Sequence, residues 1–105
     1  MISAEEQADF IAATSRLTSE LLGKSEDYVM VTFEPGKAMS FAGTEEPAAY
    51  LKLTSLGLTP EPCTDYTAKL CTFVEESLGV PPERTYIEFS SPARELFGWN
   101  GKTFG

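Results

Sequence analysis

Residues 20–34 of the chain, ELLGKSEDYVMVTFE, are echoed at residues 76–90, ESLGVPPERTYIEFS. Leu22-Gly23 recurs as Leu78-Gly79, Asp27 as Glu83 and Phe33 as Phe89, each 56 positions further on. Self-similarity at a fixed offset constrains a fold strongly, because each copy must adopt the same supersecondary unit. The unit here is a helix stopped by glycine, a short polar link and an aliphatic strand. The copies differ at their starts. A strand-like run, Tyr50 to Leu56, precedes the second helix, whereas the first helix opens almost at residue 1. Two β-α-β units are therefore expected, the first without its opening strand.

Local signals place the elements. Ser3-Ala4-Glu5-Glu6 is a capping box, in which Ser3 accepts from the third helical amide and Glu6 reaches back to Ser3. Phe10, Ala13, Leu17 and Leu21 follow at helical spacing. Gly23 suits the left-handed stop, and Lys24 stands where a cation favours the helix dipole. These signals predict a helix over about 4–22. Tyr28 to Glu34 alternates and reads as a strand ended by Pro35-Gly36. Met39-Ser40-Phe41 is expected as a short strand closed by Ala42-Gly43, and a further strand spans about 49–56.

Thr64 is expected to cap a second helix, with Leu70, Phe73, Val74 and Leu78 on its apolar side. Gly79 ends it and Pro81-Pro82 prevents continuation. Thr85 to Ser90 is the matching strand. The tail from Phe97 to Gly105 reads as a small ribbon turned at Asn100-Gly101. Parallel strands need a crossover connection. Two β-α-β repeats then give an α+β two-layer sandwich, with both helices on one face of a four-stranded sheet.

Composition narrows the function classes. A chain of 105 residues is read as one domain, residues 1–105, with a single modest core. The formal charge of −8 argues against a nucleic-acid partner, which requires clustered Lys and Arg. No apolar run approaches the roughly 18–20 residues of a membrane span, so no membrane association is expected. Histidine is absent, which removes Ser-His-Asp and Cys-His catalysis. No metal or other cofactor is expected. Proton chemistry near neutral pH is left to a carboxylate, Lys, Tyr, a thiol or a terminal amine. Cys63 and Cys71 form no CxxC and read as reduced thiols. A cytoplasmic location follows, with export lacking a leader left open.

Four stretches together resemble the tautomerase superfamily and its macrophage migration inhibitory factor (MIF) branch. They are Met39-Ser40-Phe41-Ala42-Gly43-Thr44-Glu45-Glu46-Pro47, Ser55-Leu56-Gly57, Arg84-Thr85-Tyr86-Ile87-Glu88-Phe89, and Gly98-Trp99-Asn100-Gly101-Lys102-Thr103-Phe104-Gly105. Their order and spacing are collinear from about residue 3 to residue 105. The resemblance implies a homotrimer with active sites between subunits, and keto–enol isomerisation of phenylpyruvate-like acids and dopachrome derivatives. It implies a general base as well, an N-terminal proline at the start of the first strand.

No proline stands near the start of this chain, so no catalytic residue is assigned and the chain as given is expected to be inactive. The amine of Met1 is expected beside the capping box, at the wrong end of the absent strand. The alternative is a MIF-like, cytokine-type trimer acting through protein surfaces. The family's CxxC positions are Ala48 and Leu51 here, which removes thiol oxidoreductase chemistry.

The resemblance also assigns substrate-binding positions. Lys24 matches the lysine that meets the substrate carboxylate, and this reading is preferred to that of a plain helix-terminal cation. Ser55 and Leu56 match a pair whose backbone lines the pocket, or simply end a strand before Gly57. Tyr28, Tyr86, Phe97, Trp99 and Phe104 match aromatic pocket walls, and otherwise read as sheet or core residues. Glu88 replaces an amide-bearing residue, as a second acid/base group, a repeller of acidic substrates, or a solvated or inter-subunit residue.

Overall fold

The computed structural model describes residues 2–105. The chain forms two compact units, divided between Met39 and Ser40.

The first unit is built on helix α1, Ala4–Leu22. The capping box is present: Ser3 N–H donates to the Glu6 carboxylate at 3.0 Å, and Glu6 N–H donates to Ser3 Oγ at 3.1 Å. The hydrogen bond from the Ser3 amide holds the Glu6 carboxyl below its ordinary value. Gly23 ends the helix in the left-handed conformation, φ 65°. Phe10 lies on the half-buried side of α1, and its ring meets that of Phe33 at 4.6 Å.

The strand expected over Tyr28 to Glu34 is not formed. Ser25 caps a one-turn 3-10 helix, Glu26–Tyr28, which absorbs Tyr28. Val29, Val31 and Phe33 are half-buried while Met30, Thr32 and Glu34 are exposed, so the period-2 alternation of a strand is present. No ladder involves this segment among the described residues. Alternation is a property of the segment, whereas a strand also requires a hydrogen-bonded neighbour.

The second unit contains a complete β-α-β. Strand β1, Ala49–Thr54, runs parallel to strand β2, Thr85–Ser90, in a register that pairs Ala49 with Thr85 and Thr54 with Ser90. Helix α2, Cys63–Leu78, supplies the crossover. Its N-cap is Pro62 rather than the expected Thr64, and no side chain caps it. Entry is made instead by a turn in which Cys63 N–H donates to the Pro60 carbonyl at 3.1 Å. Leu70, Val74 and Val80 form the buried core. Phe89 lies on the helix side of the sheet, its ring centroid 6.4 Å from Tyr66 of α2. Cys63 and Cys71 are free thiols, and burial pushes the Cys71 thiol up.

The short strand expected at Met39-Ser40-Phe41 reduces to a single bridge between Phe41 and Thr44. Ala42 (φ 53°) and Gly43 (φ 78°) form a tight turn that folds the segment back on itself. The tail forms the expected ribbon, β3 (Gly98–Trp99) and β4 (Lys102–Thr103), turned by Asn100 and Gly101 at φ 53° and 81°.

Candidate functional site

Alternation along β1 and β2 decides what the second unit presents. Leu51, Leu53, Ile87 and Phe89 are half-buried, so Tyr50, Lys52, Thr54, Tyr86, Glu88 and Ser90 form the exposed face. The register sets Tyr50 opposite Tyr86, and Lys52 opposite Glu88. The Tyr50 hydroxyl donates a hydrogen bond to the Glu88 carboxylate. That bond holds the Tyr50 phenol above its ordinary value, because only the protonated phenol can donate it to the Glu88 carboxylate. Tyr86 is 62% exposed, and its ring stands 5.0 Å from that of Phe41.

Ser55 and Leu56 follow β1 directly. Ser55 is buried, its N–H donates to the Ser90 carbonyl at 3.0 Å, and its hydroxyl donates to the Leu56 carbonyl at 3.2 Å. These bonds extend the parallel pairing one step past β1 and fix the backbone before the turn at Gly57, φ 72°.

The ribbon brings three of the predicted aromatics together. Phe104 packs against Phe97 at 5.9 Å and stacks with Trp99 at 6.1 Å. Phe104 N–H donates to the Phe97 carbonyl at 3.1 Å, and Arg94 Nε donates to the Phe104 carbonyl at 3.2 Å. Trp99 remains 47% exposed and Phe97 37% exposed. An open hollow of about 410 Å³ is lined by Gly98, Trp99, Asn100, Gly101, Lys102 and Thr103.

Lys24 and Tyr28 belong to the first unit. Lys24 is tied to the end of α1 through its backbone: its N–H donates to the Ser19 carbonyl at 3.1 Å, and its own carbonyl accepts from the Ser19 hydroxyl. The residue is exposed just beyond the negative end of the helix dipole. Tyr28, 61% exposed, is held by its N–H to the Ser25 carbonyl at 3.2 Å. Met1, whose amine was weighed as a base, lies outside the described residues.

Two residues that sequence reasoning passed over shape this region. Tyr50 is the partner of Glu88, which only the β1–β2 register reveals. Arg84 donates to backbone carbonyls of the turn around Phe41. Its one sequence signal is its place two residues before Tyr86 in the motif. Among the described residues no group of three His, Cys, Asp or Glu could hold a metal ion. Among them, too, no helix is long and apolar enough to cross a membrane.

A β-α-β crossover carrying an open-faced parallel sheet, followed by an aromatic ribbon, defines an α+β protein of the tautomerase-like fold. The chain belongs to the macrophage migration inhibitory factor (MIF) family, whose family model matches residues 2–105. Among its relatives, the MIF homologue of Trichinella spiralis is 38% identical over 98 residues, covering 92% of this chain and 86% of the relative. That of Trichuris trichiura is 39% identical over 97 residues, covering 91% and 85%. The crystal structure of the MIF homologue from Prochlorococcus marinus superposes with a TM-score of 0.90 at 36% identity, over 100% of this chain and 92% of that one. The MIF structure from Trichinella spiralis gives 0.83 at 33% identity, over 97% and 92%.

Proposed function

We propose that this protein acts in keto–enol tautomerisation of phenylpyruvate-type acids and dopachrome derivatives, as a homotrimer in the cytosol. Residues 1–105 serve as one domain in this proposal. The observation that carries it is the match of one family model across residues 2–105. The reaction removes a proton from the carbon beside a carbonyl and returns one to oxygen, and it needs a base of suitable pKa. A buried terminal amine meets that need, since burial disfavours its charged form. Lys24 meets the substrate carboxylate. Tyr28, Tyr86, Phe97, Trp99 and Phe104 offer ring surface, and the Ser55-Leu56 backbone lines the site. Glu88 is either a second acid/base group or a repeller of acidic substrates.

The first proline of the 105 residues is Pro35. A polypeptide that starts at Met1, without a proline ahead of it, is expected to show negligible turnover by this route. A second proposal is a binding protein without catalysis, a MIF-like trimer that acts through its surfaces.

The test is ultraviolet detection of phenylpyruvate tautomerisation by two forms, the 105-residue chain and the same chain led by an opening strand that begins with Pro. Activity is expected only in the second form, and is expected to vanish when that Pro becomes Gly. Robust turnover by the unextended chain would overturn the proline mechanism and point to Glu88. A folded, extended trimer with no turnover would leave the binding protein.

A further inference from the structure

Arg84 carries an unusual load for one side chain at the mouth of a strand. It directly precedes β2 and is half-buried. Its Nε donates to the Pro47 carbonyl at 2.9 Å and its Nη1 to the Phe41 carbonyl at 3.1 Å. Its Nη2 donates to the Glu46 carbonyl at 2.9 Å and the Thr44 carbonyl at 3.4 Å. The whole guanidinium fork is thus spent on backbone carbonyls of residues 41–47 and pairs with no carboxylate there. Its plane also lies over the Phe41 ring, 5.2 Å from the centroid. The same ring also meets Tyr86, at 5.0 Å and tilted by 52°.

We propose that Arg84 is a positioning residue: by clamping the 41–47 turn it holds the Phe41 ring, and the Phe41 ring sets the orientation of Tyr86. The inference rests on the proposal that Tyr86 meets the substrate, and extends it to what orients Tyr86. Three features support it. The bonded turn contains Ala42 at φ 53°, a conformation costly for alanine that must be held by its surroundings. Tyr86 is 62% exposed, so close packing on all sides does not fix its ring. Finally, the planar fork matches four carbonyls at once, which the single ammonium of lysine cannot reproduce.

The experiment has two arms. In the first, aromatic carbon–proton spectra of the 105-residue chain are recorded for wild type, Arg84→Ala, Arg84→Lys and Phe41→Leu. Arg84→Ala and Phe41→Leu are expected to move the Tyr86 ring resonances in the same direction, through loss of the Phe41 ring current, and Arg84→Lys to move them part of the way. The resonances of Trp99 and Phe104 on the ribbon are expected to stay in place. If Arg84→Ala does not fold, Arg84→Lys and Phe41→Leu still decide the matter. Unmoved Tyr86 resonances in the folded variants would overturn the proposal.

The second arm uses the proline-led form. Arg84→Lys should raise KM for phenylpyruvate by about three- to tenfold, the scale of one misplaced aromatic contact, and leave kcat near wild type. On a Tyr86→Ala background it should have no further effect on KM. An equal effect on both backgrounds would show that Arg84 acts on stability alone. Absence of activity in wild type would refute the tautomerase proposal, while the spectra would still decide the role of Arg84.

Discussion

Replacing Lys24 by alanine separates two roles by the size and kind of their effects. As a cation beyond the last turn of α1, Lys24 interacts with the helix dipole, a contribution of about 0.3–1 kcal/mol to stability. The bonds between Lys24 and Ser19 use the backbone of Lys24, so alanine keeps them. Loss of the dipole interaction by itself sets a cost of that size. As the anchor of a substrate carboxylate, Lys24 forms a charge-assisted contact of about 1.5–3 kcal/mol, which corresponds to roughly ten- to 150-fold in KM. The assay is the phenylpyruvate reaction of the proline-led form, with a thermal melt run beside it. Lys24→Ala should raise KM by that factor with a melting shift of no more than a few degrees, and Lys24→Arg should recover most of the loss. Raised salt should weaken the wild type towards the variant. An unchanged KM with a lowered melting temperature would refute the anchor and leave only the helix-end cation.

Val74→Ala removes two methyl groups from the most deeply buried side chain, 2% exposed, and should cost about 2–3 kcal/mol, read as an earlier urea midpoint. Gly79→Ala meets nothing within 4 Å of the new Cβ but imposes φ 73° on alanine, so a loss of about 1–2 kcal/mol would come from the backbone alone. The Tyr50 phenol is raised by its bond to Glu88, so its contribution to stability is complete at neutral pH. That contribution should fade as pH rises from about 10 through the raised value. Alkaline absorbance titration should move to lower pH at its late end in Glu88→Gln; a titration unchanged by that substitution would contradict the pair.

Elements with all their determinants in one stretch were legible from the sequence. The Ser3–Glu6 box and Gly23 bound α1 at the residues where the structure begins and ends it. Thr85 to Ser90 and the Asn100-Gly101 ribbon likewise appear where alternation and turn chemistry place them. Capping, turn geometry and hydrophobic period act over a few residues, so a few residues suffice to read them. The candidate aromatics were legible only through motif resemblance, since Tyr and Trp on strands look alike whether they wall a site or pack a core.

Pairing was another matter. Val29 to Glu34 has the alternation of Thr85 to Ser90, yet only the latter lies in a ladder among the described residues. Thr64 is a better cap by propensity than Pro62, but the Pro60–Cys63 turn starts α2 first. The Tyr50–Glu88 bond spans 38 positions and the Arg84–Phe41 bond 43. Contacts of that separation depend on register and crossover, which many local sequences share. Sequence by itself determined the helices, the turns, the internal repeat and the family. Which strand-like segment is paired, what holds Glu88 and what orients Tyr86 were decided by tertiary structure, because hydrogen bonds between distant segments form only once the chain has brought them together.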